Sequence, residues 1–301
     1  MQKPFLSRLH SRLLRWLVPI WRLPMQKSSF LCLMTGAAGV GLCAALGAAL
    51  GAAPNAADAA TTRSTDQPDY ARLFPHVFAR QGPPRRQVSL TFDDGPDSHY
   101  TLQILDVLKR EGVHATFFVL GEHVRRYPDV ARRIVREGHA LGNHSFDHRN
   151  LRTMGAQALN WEVTATDREL LRATGQRTRY FRAPYGSVDS QIITQLGRMG
   201  YTVVNWSVDS RDWRSIPSSQ VIANVLAEVR PGAIILQHCA GNEREILTGT
   251  VAALPVIIHR MRAQGYEFVT VPTLLGSDSR AVHAKPAIKH ASPPVHPLPR
   301  P

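Results

Sequence analysis

Residues 87–96 read QVSLTFDDGP, and this stretch decides the fold. Polar and apolar types alternate over its first six residues and β-forming types dominate, which predicts a strand over 87–92. The Gly-Pro pair then breaks the chain. Asp93 and Asp94 stand at the strand exit, where one carboxylate could hold a metal and the other could move a proton. A solvated turn is the plainer interpretation, because Asp, Gly and Pro are common turn residues.

The middle of the chain alternates between strand-like and helix-like segments. Strands are predicted over 87–92, 114–120, 178–182, 201–206, 233–237 and 267–271. Helices are predicted over 99–111, 123–137, 155–174, 189–199, 218–229 and 246–264. Such alternation indicates an α/β domain with parallel strands. In such folds the working residues collect at the carboxyl ends of the strands, so we expect the chemically active side chains to follow them directly.

The segment HSFDH places His144 and His148 four residues apart. On a helical turn this spacing would put both imidazoles on one face, where they could grip one ion. Together with Asp94 they offer two nitrogen ligands and one carboxylate, which suits Zn²⁺ with positions left open for water and substrate. The same ligand set occurs in non-haem iron oxygenases. Two ordinary surface histidines are the structural alternative.

Three further segments follow predicted strands. In RAPYG, Arg182 could orient Asp93 through a two-pronged pairing. In DSRDW, Trp213 could wall a sugar-sized pocket. In LQH, His238 could donate a proton near neutral pH, with Asp209 keeping it protonated. A surface arginine, a core aromatic and a core histidine are the ordinary explanations, but five such segments in order are hard to assign to packing alone.

Taken in order, TFDDGP, HSFDH, RAPYG, DSRDW and LQH resemble the five motifs of the polysaccharide deacetylases, the nodulation-type deacetylase homology domain of carbohydrate esterase family four. The resemblance covers about residues 86–275. It implies a single catalytic domain built as a distorted (β/α) barrel, usually with seven strands. It also implies one divalent metal ion, commonly Zn²⁺, with Co²⁺ or another divalent ion as alternatives.

The resemblance also implies a role for each motif residue. It makes Asp94, His144 and His148 the metal ligands. Asp93 would be the general base with Arg182 as its orienting partner, and His238 would be the general acid supported by Asp209. The Tyr185 N–H would donate to the oxyanion, and Trp213 and Leu236 would line the slot for the acetyl methyl group. The chain departs from the family pattern at Cys239, where members often carry Asp. That departure puts the hydrogen bonding beside His238 in doubt.

The implied reaction is metal-dependent hydrolysis of the N-acetyl group of N-acetylhexosamine units, with release of acetate. Peptidoglycan, poly-N-acetylglucosamine and chitin-like oligomers are the glycans expected as substrates. Two alternatives stay open at this stage, a non-catalytic glycan-binding domain tethered to a membrane and a non-haem iron oxygenase. The presence of both Asp93 and His238 favours the hydrolase, because a degenerate relative would usually lack one of them.

Composition limits the other classes. The chain has 301 residues and a net charge of +13, but the excess is concentrated at its ends, since residues 1–30 carry six Lys and Arg and no acid. No basic helix or aromatic-interleaved basic motif is visible, so nucleic-acid binding is not expected. Two of the three cysteines lie in an N-terminal apolar run, which leaves Cys239 alone in the body and excludes a disulfide framework there.

Four regions are expected along the chain. Residues 1–59 form a basic leader that acts as a signal peptide or membrane anchor, since 30–53 carry no charge and Ala57-Asp58-Ala59 suits signal peptidase. A linker over 60–84, the deacetylase domain over 85–276 and a disordered Pro- and His-rich tail over 277–301 follow. Met25 is a second possible start. The leader predicts export to the periplasm, cell envelope or medium, with membrane contact if it stays uncleaved.

Overall fold

The computed structural model describes residues 68–241 and 245–276, which fall within one compact unit beginning at Ser64. The expected leader, the first part of the expected linker and the expected tail lie outside the described residues. Within the described ranges, no helix has both the length and the apolar character needed to cross a membrane.

The described residues form nine strands, nine α-helices and three short 3₁₀ helices at Leu151–Thr153, Pro184–Gly186 and Asp212–Arg214. Strands β1 to β9 span Phe78–Ala79, Gln87–Asp93, Thr116–Val119, Ala140–Asn143, Tyr180–Phe181, Thr202–Val204, Val208–Asp209, Ile234–His238 and Glu267–Phe268. Helices α1 to α9 span Tyr70–Leu73, Tyr100–Glu111, Gly121–Arg126, Pro128–Arg136, Ala156–Thr174, Ser190–Arg198, Ser218–Glu228, Thr248–Ala263 and Val271–Leu274. The predicted alternation of strands and helices is therefore confirmed.

All the paired strands are parallel, and they form one sheet in the order β1-β6-β5-β4-β3-β2-β8-β7, with β9 on β2. Within the described ranges the sheet has nine strands rather than the seven that the resemblance implies. Four of them have only two residues.

The sheet must curl, because β6 and β7 stand near its opposite ends yet only Asn205–Ser207 join them. In a flat sheet six strand spacings of about 4.8 Å would separate them, whereas the connection reaches no more than about 14 Å. The two ends of the sheet also come into contact. Gln81, just after β1, forms an antiparallel bridge with Ala233, just before β8, and the Gly82 N–H donates to the Gly232 carbonyl at 2.8 Å. The predicted distorted barrel is confirmed as a single α/β domain whose parallel sheet curls into a half-barrel.

The alternation in β2 assigns its two faces. Val88, Leu90 and Phe92 are fully buried in the main hydrophobic cluster, together with apolar residues of α2, α4, α7 and α8. Burial of one such side chain stabilises the fold by about 1.5 to 3 kcal/mol. The alternate residues of β2, which include Thr91 and Asp93, face the inside of the half-barrel. The strand therefore places Asp93 on the inner face of the sheet, at the carboxyl end of β2.

Three local features differ from the sequence-based expectations. The single helix predicted over 123–137 is two helices, because Pro128 lacks a backbone N–H and begins α4. The strand Ala140–Asn143 was not predicted. The linker expected over 60–84 contains α1 and β1 from Pro68 onward, and β1 pairs with β6, so the folded domain begins before residue 85.

Candidate active site

Asp94, His144 and His148 come together at the carboxyl ends of β2 and β4. Asp94 Oδ1 lies 3.2 Å from Nε2 of His144 and 3.3 Å from Nε2 of His148. One possible ligand atom from each residue lies within 4.8 Å of the other two. Among the described residues this is the one group of three or more His, Cys, Asp or Glu side chains so arranged.

The surroundings of this cluster fit a divalent cation. Asp94 Oδ1 is buried and has no partner with good hydrogen-bond geometry, although the Nε2 atoms of His144 and His148 face it. A cation between the three residues would satisfy this oxygen. His144 Nδ1 lies 2.8 Å from the Arg182 carbonyl, which can only accept, so Nδ1 carries the hydrogen and the Nε2 lone pair faces Asp94. Two imidazoles and one carboxylate are a common Zn²⁺ set that leaves positions open. These three residues could hold the predicted ion.

Electrostatics at the cluster reflect burial and the three neighbouring histidines. Burial alone would raise the pKa of Asp94, but His144, His238 and His148 lower it well below its ordinary value. For His144 burial opposes the charge, yet Asp93 and Asp94 raise its pKa. Burial outweighs the same carboxylates at His148 and lowers its pKa. The cluster therefore keeps Asp94 ionised, as a metal ligand must be.

The helical turn expected for HSFDH is not observed. Residues 144–148 form an irregular loop, and the non-glycine residues Ser145 and His148 have φ of 70° and 62°. The imidazoles meet because the loop folds back, with ring centroids 5.1 Å apart.

Asp93 lies between Arg182 and the edge of this cluster. Its Oδ1 accepts a hydrogen bond from Arg182 NH1 at 2.7 Å, and its Oδ2 lies 3.8 Å from His144 Nε2. The pairing is single rather than two-pronged, since NH1 also donates to Thr91 and NH2 donates to the Asn205 carbonyl. Arg182 is fully buried and its guanidinium stacks on the Phe118 ring at 4.1 Å. That packing fixes the arginine, and the arginine fixes the Asp93 carboxylate.

The partner of His238 is Asp212 and not Asp209. His238 Nδ1 lies 2.7 Å from Asp212 Oδ1, and the His238 N–H donates to Asp212 Oδ2 at 2.9 Å. Thr250 also donates to Oδ2, at 2.8 Å. Asp209 instead accepts the Arg211 N–H at 2.8 Å. The prediction for Asp209 was wrong because Arg211, with φ of 58°, turns the chain so that the next residue meets the histidine.

The ion pair with Asp212 determines the protonation of His238. Burial would lower the pKa of this imidazole, but Asp212, with smaller contributions from Asp94 and Asp93, raises it to about 10. The raised pKa favours the protonated imidazole, so His238 can carry a proton to donate. Burial raises the pKa of Asp209.

The three residues expected to bind substrate each adjoin a residue of the site, either in contact or close along the chain. Tyr185 has φ of 60°, and its exposed ring meets the His148 ring edge-on at 4.6 Å. Trp213 is 48% exposed on the turn Asp212–Arg214. Leu236 is buried and shares the inner face of β8 with His238. Their roles in substrate binding stay predictions.

Cys239 is buried behind the acidic pair rather than beside the open face of the cluster. Its thiol donates to the Asp93 carbonyl at 3.3 Å, and burial raises its pKa well above the ordinary value. It is not a member of the Asp94, His144 and His148 group.

Sequence reasoning did not identify three polar residues that support the site: Asp212, Asn143 and Glu162. A signal existed for Asp212, because it is the second acid of DSRDW. Asn143 directly precedes His144, and its Oδ1 accepts the Ser145 N–H at 3.0 Å. Glu162, fully buried on α5, accepts the Phe146 N–H at 2.8 Å.

Comparison with known proteins identifies the family to which the chain is similar. The family model described as polysaccharide deacetylase matches residues 80–204. A peptidoglycan-N-acetylglucosamine deacetylase of Bacillus cereus is 37% identical over 200 residues, which are 66% of this chain and 72% of the relative. A chitooligosaccharide deacetylase of Rhizobium leguminosarum is 37% identical over 203 residues, 65% of this chain and 94% of the relative.

A solved structure agrees with both relatives. The crystal structure of the Bc1960 peptidoglycan N-acetylglucosamine deacetylase superimposes with a TM-score of 0.68 at 35% identity, covering 70% of this chain and 98% of that one. Sequence motifs, fold and relatives thus point to one family of carbon–nitrogen hydrolases, and the resemblance stated from the motifs is confirmed: the chain belongs to the polysaccharide deacetylase family.

Proposed function

We propose that this protein removes the acetyl group from N-acetylhexosamine units of a cell-envelope or extracellular glycan and releases acetate. The observation that carries the proposal is the separation of two adjacent carboxylates. Asp94 meets two imidazole nitrogens, whereas Asp93 meets a fully buried arginine. Metal-assisted amide hydrolysis combines a cation that polarises the carbonyl with a base that takes a proton from water. Asp94 would be a ligand of the cation, and Asp93 would be the base.

The relatives narrow the substrate class. Those compared above carry the names peptidoglycan-N-acetylglucosamine deacetylase and chitooligosaccharide deacetylase. Both names specify N-acetylated glycans. We favour peptidoglycan or another envelope polymer of this kind, with poly-N-acetylglucosamine and chitin-like oligomers as the other members of the class.

The chain's own residues can supply the steps of the reaction. A divalent ion, most simply Zn²⁺, held by Asp94, His144 and His148 would supply Lewis-acid chemistry. Asp93 would accept the proton of the attacking water, while Arg182 keeps its carboxylate oriented. The Tyr185 N–H would donate to the developing oxyanion. His238, held as a cation by Asp212, would protonate the leaving nitrogen so that the amine departs neutral.

Acetate release from a panel of glycans tests this function. Peptidoglycan, poly-N-acetylglucosamine and chitin oligomers would be treated with the purified protein, with chelator, and with chelator followed by Zn²⁺ or Co²⁺. We expect release from at least one polymer, loss with chelator and recovery with metal. Glycan binding without acetate release would support a non-catalytic module instead, and turnover that requires O₂ would support an oxygenase.

Metal content tests the ligand assignment separately. Asp94→Ala and His144→Ala are expected to purify without the ion, because each removes one of three ligands. Elemental analysis that finds full occupancy in both variants would overturn the assignment. The matched control is Asp97→Ala, since Asp97 caps the start of α2 through the Thr101 N–H and is not one of the three ligands.

The place of action is part of the proposal. The basic, then uncharged, N-terminal segment supports export, followed by cleavage or by anchoring through residues 30–53. Fractionation of cells that produce a C-terminally tagged chain tests this. Tagged protein found only in the cytosol would overturn it.

A further inference from the structure

The loop that carries two of the three candidate ligands has no regular structure of its own. Residues 144–148 follow β4 directly, and two of the five have positive φ. Each such non-glycine residue costs about 1 kcal/mol or more and persists only where the surroundings impose it. Something outside the loop must therefore hold its backbone.

Side chains hold every backbone N–H from 145 to 148. The Ser145 N–H donates to Asn143 Oδ1 at 3.0 Å, and the His148 N–H donates to Ser145 Oγ at 3.2 Å. Between them, the N–H groups of Phe146 and Asp147 both donate to Glu162 Oε2, at 2.8 and 3.4 Å. One carboxylate on α5 thus binds the two central residues of the loop.

Glu162 is itself fixed. Its side chain is fully buried, and its second oxygen accepts from Arg149 NH2 at 3.0 Å. Arg149, the residue just after the loop, also pairs with Asp147 and so links the solvent side of the loop to Glu162. Burial of a carboxylate is costly unless each oxygen is matched. Here the matching partners are the loop N–H groups and one arginine.

We propose that Glu162 is a positioning residue that acts through the backbone of residues 144–148 to hold both imidazoles toward Asp94, and so sets the affinity for the divalent ion. This inference rests on the metal-dependent function proposed above. Partners one step removed from the ligands typically change metal affinity by roughly 10- to 100-fold.

Two substitutions of similar volume separate this role from simple packing. Glu162→Gln keeps an oxygen acceptor for the Phe146 N–H, whereas Glu162→Met fills the site without one. Zn²⁺ affinity would be measured by competition with a chromophoric chelator. We expect a loss of roughly 10- to 100-fold for Glu162→Met, and affinity close to wild type for Glu162→Gln.

Glu169→Ala is the matched control, because this acid lies on the same helix and pairs only with Arg172 among the contacts described. It should leave Zn²⁺ affinity unchanged. Wild-type affinity in Glu162→Met would overturn the proposal, as would an equal loss in Glu162→Gln and Glu162→Met. If Glu162→Met does not fold, Arg149→Met carries the test: a several-fold loss of affinity is expected, and none would overturn it.

Hydrogen exchange on metal-free protein distinguishes this inference from the function itself. The Phe146 and Asp147 amides should be protected in the wild type and exchange faster in Glu162→Met. If the wild type binds no Zn²⁺, the proposed function fails, yet the exchange result still reports whether Glu162 holds the loop. Equal exchange in both proteins would overturn the positioning role.

Discussion

The backbone of Asp94 is what separates the two neighbouring acids. With φ of 71° at Asp94, the chain turns sharply after β2, so one carboxylate faces the imidazoles and the other faces Arg182. A non-glycine residue rarely adopts this conformation, and the strain is typical of functional sites. The two acids are therefore not interchangeable, and each can be tested alone.

Asp93→Asn should retain the metal and lose most of its turnover. The amide is the same size and can still meet Arg182 through its oxygen, but it cannot accept a proton from water. Loss of a general base typically lowers the rate by about 10²- to 10⁴-fold. Acetate release and metal content would be measured on the same sample. A variant that keeps its metal and a near wild-type rate would show that Asp93 is not the base.

Asp212→Asn should lower turnover more than Asp209→Asn. Asp212 bonds both the ring and the backbone of His238, whereas Asp209 contacts the Arg211 N–H. Without the Asp212 charge the largest cause of the raised His238 pKa is gone, so the proton donor is depleted. Comparing kcat for the two variants on one glycan checks this. A larger loss in Asp209→Asn would support Asp209, and not Asp212, as the residue that keeps His238 protonated.

Among the elements, the buried central strands could be predicted because β2 alternates polar and apolar residues, while β3 and β8 are largely apolar runs. β4 could not, since Ala140–Asn143 is short and contains a glycine, which weakens the strand signal. Its glycine has a tertiary cause. A Cβ on Gly142 would lie 2.3 Å from the Phe118 ring, and this is the ring that Arg182 stacks on.

The loop after β4 was mispredicted for a related reason. The spacing of His144 and His148 is compatible with a helical turn, but hydrogen bonds that the loop N–H groups donate to Asn143 and Glu162 impose the observed path. Glu162 is distant in sequence, and no local pattern reports its contact. The identities of the candidate ligands could thus be predicted from the motifs. The residues that fix the orientation of these ligands could not.

The corner between α4 and β4 buries a histidine that must stay neutral. His139 Nδ1 accepts the Ala115 N–H at 3.1 Å, and the ring meets Phe117 edge-on. Burial, with a smaller contribution from His114, lowers its pKa from 6.5 to about 4. Between these values the unfolded chain binds more protons than the folded one, so stability present above the window is lost as the pH falls through it.

We expect protonation of His139 to lower the free energy of unfolding by roughly 3 kcal/mol as the pH falls from about 7 to about 4. His139→Asn should show a shallower pH dependence, because its amide oxygen can still accept the Ala115 N–H but does not titrate in this window. Denaturant unfolding of both proteins at about pH 7, 6 and 5 checks the prediction. Equal slopes would contradict it.

At the scale of the whole molecule, the site depends on closure of the sheet. The candidate ligands follow β2 and β4, Arg182 follows β5, and His238 ends β8. The sequence predicted that active side chains follow strands. It could not predict how far apart the strands stand, because that is set by the curl. The two ends of the sheet come into contact where Gln81–Gly82, after β1, meet Gly232–Ala233, before β8, and we call this contact the seam of the half-barrel.

At Gly232 the two backbone segments of the seam lie too close together to leave room for a side chain. Its φ is 83°, and a Cβ there would lie 2.5 Å from the Pro83 carbonyl oxygen and 2.6 Å from that of Gly82. Gly232→Ala adds left-handed strain and forces two backbone segments apart, so we expect it to destabilise the protein by about 2 to 4 kcal/mol.

Gly155→Ala is the control, since Gly155 has φ of −74° and nothing lies within 4 Å of the added methyl. It should change stability by less than about 1 kcal/mol. Denaturant unfolding of both variants measures the difference. If Gly232→Ala is as stable as Gly155→Ala, the seam is not a tight backbone contact. If it is destabilised and also binds Zn²⁺ more weakly while folded, closure of the sheet reaches the ligands through the strands that carry them.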